Sequence, residues 1–206
     1  LKEQVEDSTF FCVGDDWQAI FRFAGSDIHL MTDFESNFGD TARNVLDETF
    51  RFNNKIAELS GSFVMRNDRQ IKKQIKPLEN IQKPRVFVSF QHPNKSEEDE
   101  VIDLLSRIAS KIPNENQTVL ILCRYGLKKK PIDTNLIKCS APSRIKVEYQ
   151  TAHASKGGEA DHVIVRGMTQ GQLGFPSDIV DDPLLSLVLA EPEDFEYAEE
   201  RRLFYV

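Results

Sequence analysis

Four short stretches carry residues whose types and spacing could do chemistry. The first is TFRF at residues 49–52, with Arg51 between Phe50 and Phe52. An arginine neither loses its charge nor buries cheaply alone, and its planar fork suits phosphate oxygens. The second is GDDWQAIFRFAG at 14–25, where Gln18 precedes Phe21, Arg22 and Phe23. Aromatics two residues apart do not share a helix face, so at least one is expected to be exposed if the stretch is helical. Exposed rings beside a cation suit stacking on unpaired bases, and packing into a domain interface would serve them equally well. The third is TAHASKGGEAD at 151–161, with His153, Lys156 and Glu159. Its small residues let backbone approach a ligand, Lys156 could meet a phosphate and Glu159 could accept from a ribose hydroxyl. A left-handed turn between two strands explains both glycines as well, and a lone histidine is more often a structural hydrogen-bonder. The spacing of a P-loop is absent. The fourth is EERRLFYV at 199–206, where Arg201 and Arg202 point about 100° apart on a helix, so only one of them can face a given cleft. A solvated charged face is the plain alternative for that run.

These stretches need elements to hold them. TFFCV (9–13) is short, apolar and β-prone and reads as a buried strand ending at Gly14. TFRF sits at a strand end, followed by an Asn53 or Asn54 cap and a helix over 55–65 with Ile56, Leu59 and Phe63 on one face. Residues 67–84 are polar and lysine-rich and read as an exposed connection, and 85–90 alternates like a strand. SEED at 96–99 is a helix-start signature, after which Val101, Leu104, Leu105, Ile108 and Ile112 recur at helical spacing until Pro113. TVLILC (118–123) is a continuous apolar run, as in a strand covered on both faces. Residues 145–151 and 162–165 read as two more strands, and 170–195 as an irregular excursion with a helical turn or two. Strands alternating with helices predict an α/β fold with a mostly parallel sheet. In such folds ligands bind beyond the carboxyl ends of the strands, where three of the four stretches fall.

The 206 residues suffice for one domain and a fragment of another. At 40% hydrophobic and 29% charged the composition is that of a globular chain. No apolar run approaches a membrane span. Three cysteines without metal-ligand spacing and four scattered histidines argue against a metal site and for a reducing, cytoplasmic setting. The net charge of -7 argues against nucleic-acid binding over the whole surface, but leaves room for a local basic groove. Lys128, Lys129 and Lys130 form one basic cluster, read first as a solvated loop. Leu1 and the apparent helix reaching Val206 read as the edges of a piece excised from a longer protein.

In this order the four stretches resemble motifs III, IV, V and VI of the UvrD/Rep-like superfamily I helicases. The likeness covers the chain as ordered landmarks. The tryptophan of GDDWQ, the TFRFN form and the EDF-x-x-AEERRL-x-YV ending mark one branch of that family. The resemblance implies two RecA-like domains that clamp ATP and Mg²⁺ between them and move 3′-to-5′ on single-stranded DNA or a tailed duplex. Residues 1–40 would be the tail of the first RecA-like domain and 41–206 the second. The Walker lysine, the acidic pair and the Mg²⁺ ligands would belong to the first domain, outside this piece, and the fragment alone would be inactive. The domain that many relatives insert between motifs IV and V would be minimal or absent.

By the same resemblance, Arg51 is the arginine reaching the γ-phosphate and Phe50 the ring on adenine, where most relatives have tyrosine. Gln18 senses the γ-phosphate. Arg201 or Arg202, the latter preferred, is a second phosphate arginine, and Glu159 binds ribose. Phe21, Phe23 and His153 contact DNA. Ala24 stands where an arginine is common and Gly158 where a leucine is. Two other readings fit the same motifs: a helicase-like chain that binds RNA polymerase without unwinding, and the helicase portion of a nuclease-helicase.

Overall fold

A computed structural model describes residues 8–82, 86–112, 114–126 and 131–206. Pro113, Arg85 and the cluster Lys128, Lys129 and Lys130 lie outside the described residues. Six helices are assigned among the described residues: α1 His29–Thr32, α2 Phe34–Phe38, α3 Asn54–Val64, α4 Glu97–Lys111, α5 Thr134–Ser140 and α6 Ala198–Tyr205. The strands are β1 Glu48–Thr49, β2 Lys76–Pro77, β3 Gln117–Cys123, β4 Ile145–Thr151 and β5 His162–Val165.

The main sheet is parallel throughout, in the order β4-β3-β5. Its registers pair Cys123 with Thr151 and Leu122 with Val165, so all three strands end at one edge. The central strand β3 is the apolar run, and Val119, Leu120, Ile121 and Cys123 are all buried. Val119 and Ile121 join Val101, Leu105 and Ala109 of α4, Ile137 of α5 and Ile145 and Val147 of β4 in one core. The three α4 residues recur every fourth position and so form one stripe. Helix α4 starts with a reciprocal capping box: Ser96 Oγ accepts from the Asp99 N–H at 3.1 Å, and Asp99 Oδ2 from the Ser96 N–H at 3.3 Å. Four acidic residues in its first turn and Lys111 in its last complement the helix dipole. Arg166, just past β5, forks onto Glu97 at 2.7 and 2.6 Å and ties the sheet's carboxyl edge to the start of α4.

A second core unites the loops. Ile20, Ala152, Phe175 and Leu203 pack together with Phe21, Val165 and Val206 at their margin. Trp17 is buried between the chain at residue 71, α3 and α6: its indole N–H donates to the Ile71 carbonyl at 3.0 Å, Tyr205 meets it edge-on at 5.3 Å, and Gly61 of α3 leaves it room. The small parallel pair β1–β2, with Thr49 opposite Pro77, carries TFRF. The result is an α/β fold of parallel strands with flanking helices, as the alternation of elements predicts.

Several local expectations are corrected. Residues 9–13 form no strand; Phe11 is 88% exposed and Cys12 is exposed too. A strand needs a ladder partner, and no described strand lies beside this segment. The same holds for 86–90, where Phe87 and Phe90 are exposed. On α3, Ile56 and Leu59 face outward, and the buried contact is made by Val64 and by the space at Gly61. The 67–84 connection is partly interior: the Asn67 and Gln70 side chains are buried, Gln70 donating to Asp16 at 3.0 Å and Asn67 to Glu193 at 3.3 Å. The excursion at 170–195 is irregular with one 3₁₀ turn, Leu185–Leu187, as its composition predicts. Among the described residues no helix is long and apolar enough to cross a membrane.

Candidate functional site

The loop after β4 organises the site. Residues 152–157 wind through successive turns, with the Ser155 N–H on the Thr151 carbonyl at 3.0 Å and the Ser155 hydroxyl on the Ala152 carbonyl at 2.9 Å. Gly157 takes φ +82, a conformation that costs glycine nothing. A Cβ at Gly158 would sit 3.0 Å from the Ser155 carbonyl oxygen, so a leucine there would need a shift. This accounts for the departure at that position in terms of the tight turn.

At one end of the loop His153 enters an aromatic cluster. Its ring centroid lies 5.8 Å from Phe21 and 5.4 Å from Phe23, and the two phenylalanines are 5.9 Å apart. Phe23 is exposed and Phe21 half-buried. A 3₁₀ turn at Arg22–Ala24, closed by Gly25 at φ +86, holds the pair. His153 Nε2 is 3.2 Å from the Ile20 carbonyl, which can only accept, so this nitrogen carries the proton. Nδ1 then accepts from Arg124, 3.5 Å away. Burial, and next the Arg124 charge, hold His153 below the ordinary histidine range, which keeps the ring neutral. Arg124, immediately after β3, is itself ion-paired with Glu200 of α6 at 2.7 Å. Lys156 spans the cluster: its ammonium lies 5.1 Å from the Phe21 ring and donates to the Gln18 carbonyl at 3.0 Å. The Gln18 side chain donates to Asp15 at 2.6 Å.

At the other end of the loop Glu159 meets Arg51, Nε to Oε1, at 3.2 Å, with both side chains exposed. Phe50 beside it is 81% exposed. Phe50, Arg51 and Glu159 are thus all exposed, and the Arg51–Glu159 pair links the chain after β1 to the loop after β4. One loop therefore touches both groups, with His153 in the aromatic cluster and Glu159 on the arginine six positions later.

The two arginines of α6 do not join Arg51. Arg202 is buried, and its guanidinium makes three hydrogen bonds: Nε donates to the Ala19 carbonyl at 2.7 Å and the fork grips Glu193 at 2.9 and 2.5 Å. In this arrangement the Arg202 fork is held on Glu193 and is turned away from Arg51. Arg201 lies 5.3 Å from the Phe63 and Phe195 rings and donates to the Glu196 carbonyl at 3.2 Å. Phe63 is near the far end of α3 from Arg51, about 13 Å along the helix at 1.5 Å per residue.

Residues that motif reading missed form the frame. Asp16 is buried, takes the Ile71 N–H at 2.8 Å and is ion-paired with Lys73. With Trp17 it fixes the turn that aims Gln18. Arg124 had a signal in the sequence, since it is the first charge after the most apolar strand.

Parallel strands with flanking helices, and the loops of the aromatic cluster and of Glu159 at their carboxyl edge, make an α/β unit consistent with a RecA-like domain. No family model matches the chain. Over all 206 residues it is 39% identical to DNA helicase IV of Escherichia coli (strain K12), and it spans 29% of that protein's length. The chain is thus similar from end to end to part of that helicase.

Proposed function

We propose that the chain is part of an ATP-dependent DNA helicase that translocates 3′-to-5′ on single-stranded DNA. The observation that carries this reading is the loop at 151–161, which links an aromatic cluster suited to bases with an arginine suited to phosphate. In this reading residues 41–206 are the second RecA-like domain and 1–40 the tail of the first. The first domain of the same chain supplies the Walker lysine and the Mg²⁺ ligands.

The open face formed by Phe50, Arg51 and Glu159 suits a nucleotide sandwiched against a second surface. Phe50 stacks on adenine. Arg51 donates to the γ-phosphate and stabilises charge developing in the transition state. Phosphoryl transfer asks little covalent chemistry of the protein, and positioning with charge supplies most of the rate. When phosphate takes Arg51, its ion pair with Glu159 opens and Glu159 is released to a ribose hydroxyl. That exchange pulls on the loop whose other end holds His153 and, through Lys156, the Gln18 carbonyl. Gln18, Phe21, Phe23 and His153 feel nucleotide binding in this way.

The test is the affinity of the full-length chain for a labelled oligothymidylate. Stacking is worth about 1–3 kcal/mol per base, so Phe21→Ala and Phe23→Ala are each expected to weaken binding by about 5- to 150-fold. Unchanged affinity in both variants would overturn the assignment of the strand path.

A further inference from the structure

A cleft of about 330 Å³ opens beside the aromatic cluster, lined among others by Arg22, Phe23, Arg124, His153, Asp181 and Glu199. Both arginines in it are held by carboxylates, in unlike ways. Arg124 pairs with Glu200, whose side chain is 13% exposed and also accepts the Ser177 N–H at 3.0 Å. That pair is built into the fold. Arg22 pairs with Asp181, whose side chain is 44% exposed and lies in the irregular excursion. Among the described residues Arg22 is the one partner of the Asp181 carboxylate. The rest of Arg22 is fixed independently of that pair: Nε donates to the Ala190 carbonyl at 2.8 Å, and its backbone N–H to Glu199 at 3.1 Å. The guanidinium is thus oriented by the protein, while one terminal nitrogen is left to an exchangeable anion at the open edge of the cleft.

Arg22 also lies between the two phenylalanines in the chain. A strand whose bases stack on Phe21 and Phe23 runs its sugar-phosphate backbone past the residue between them. We propose that Arg22 binds a phosphate of that strand, and that Asp181 occupies the phosphate position in the DNA-free protein as an internal counter-ion which the strand displaces. This rests on the reading of Phe21, Phe23 and His153 as a base-stacking site. A half-exposed carboxylate is held weakly enough to be displaced, and it screens the arginine from other anions meanwhile.

The experiment is a salt titration of oligothymidylate binding by the full-length chain. Exposed ion pairs contribute little, so Asp181→Asn is expected to tighten binding by about two- to fivefold at low salt. The slope of log affinity against log salt stays as in the wild type. Arg22→Gln weakens binding and makes the slope shallower by about 0.7, the value for one phosphate contact on a single strand. Arg22→Lys keeps the slope. Asp182→Asn is the control for long-range charge, because the Asp182 carboxylate accepts the nearby Leu184 N–H at 2.9 Å instead of facing Arg22. Its effect on affinity is expected to be well below that of Asp181→Asn. An unchanged slope in Arg22→Gln, or equal gains in the two aspartate variants, would overturn the proposal. If Phe21→Ala and Phe23→Ala lose affinity while the Arg22→Gln slope stays at the wild-type value, the stacking reading stands and this proposal alone fails. If the phenylalanine variants bind normally, both fall.

Discussion

Replacing Glu193 with alanine tests whether Arg202 is an anchor. The two side chains are 3% and 9% exposed and joined by a two-pronged contact, with a third donor on the Ala19 carbonyl. Glu193→Ala leaves that guanidinium buried with one of its three hydrogen bonds intact. Stranding one member of a buried pair costs about 3–5 kcal/mol. At about 2–4 °C per kcal/mol for a domain of this size, the melting temperature should fall by roughly 6–20 °C. The double variant Arg202→Met with Glu193→Leu removes both charges at similar volume and should recover most of that loss, since apolar replacements of buried pairs are often neutral or better. The assay is calorimetric melting of the full-length chain and both variants, followed by DNA-stimulated ATP hydrolysis of the double variant. A loss below about 1 kcal/mol in Glu193→Ala would refute the energetic argument. A double variant that melts normally but has lost hydrolysis would show that Arg202 touches nucleotide, and the anchor assignment would be wrong.

Two further outcomes follow from the frame of the site. His153 is held below the ordinary histidine range, so as pH falls through about 6.5 the unfolded chain takes up the proton first and the folded state loses stability. Burial pushes Glu199 the other way, above the ordinary carboxylate range, so its contribution favours the folded state on acidification and must be separated. The difference between wild type and His153→Asn in urea midpoint, measured at pH 8 and pH 5.5, isolates the histidine: the wild type should lose more, and an equal loss would contradict the burial argument. Trp17→Ala removes a buried ring that joins residue 71, α3 and α6 and should cost about 3–5 kcal/mol. A loss under about 1 kcal/mol in denaturant unfolding would mean that the turn bearing Gln18 is held by something else.

What the sequence made legible has a physical pattern. The central strand, its two parallel neighbours and α4 were readable because a continuous apolar run, β-branched segments and a capping box each specify structure locally. The apolar runs at 9–13 and 86–90 carry the same local signal but form no ladder, because pairing depends on a neighbour that local composition cannot announce. Asn67 and Gln70 read as surface and are interior, because Glu193 and Asp16, far away in sequence, satisfy them. The split between Arg201 and Arg202 was equally hidden: it is decided by Glu193, in an excursion with no periodicity of its own. The aromatic cluster was half legible. Two phenylalanines flanking an arginine suggested an exposed stacking surface, but only the tertiary structure brings His153 and Arg124 to them. The pairing of Glu159 with Arg51, 108 positions apart, had no local sign.

The most direct measurement is ATP hydrolysis by the full-length chain, with and without single-stranded DNA, for the wild type and Arg51→Ala. An arginine supplied to the γ-phosphate is worth about 10³–10⁵ in turnover, so the account predicts strong stimulation by DNA in the wild type and a collapse by orders of magnitude in the variant. Turnover indifferent to DNA, or unchanged when Arg51 is removed, would contradict the claim that TFRF and the loop at 151–161 couple nucleotide to strand.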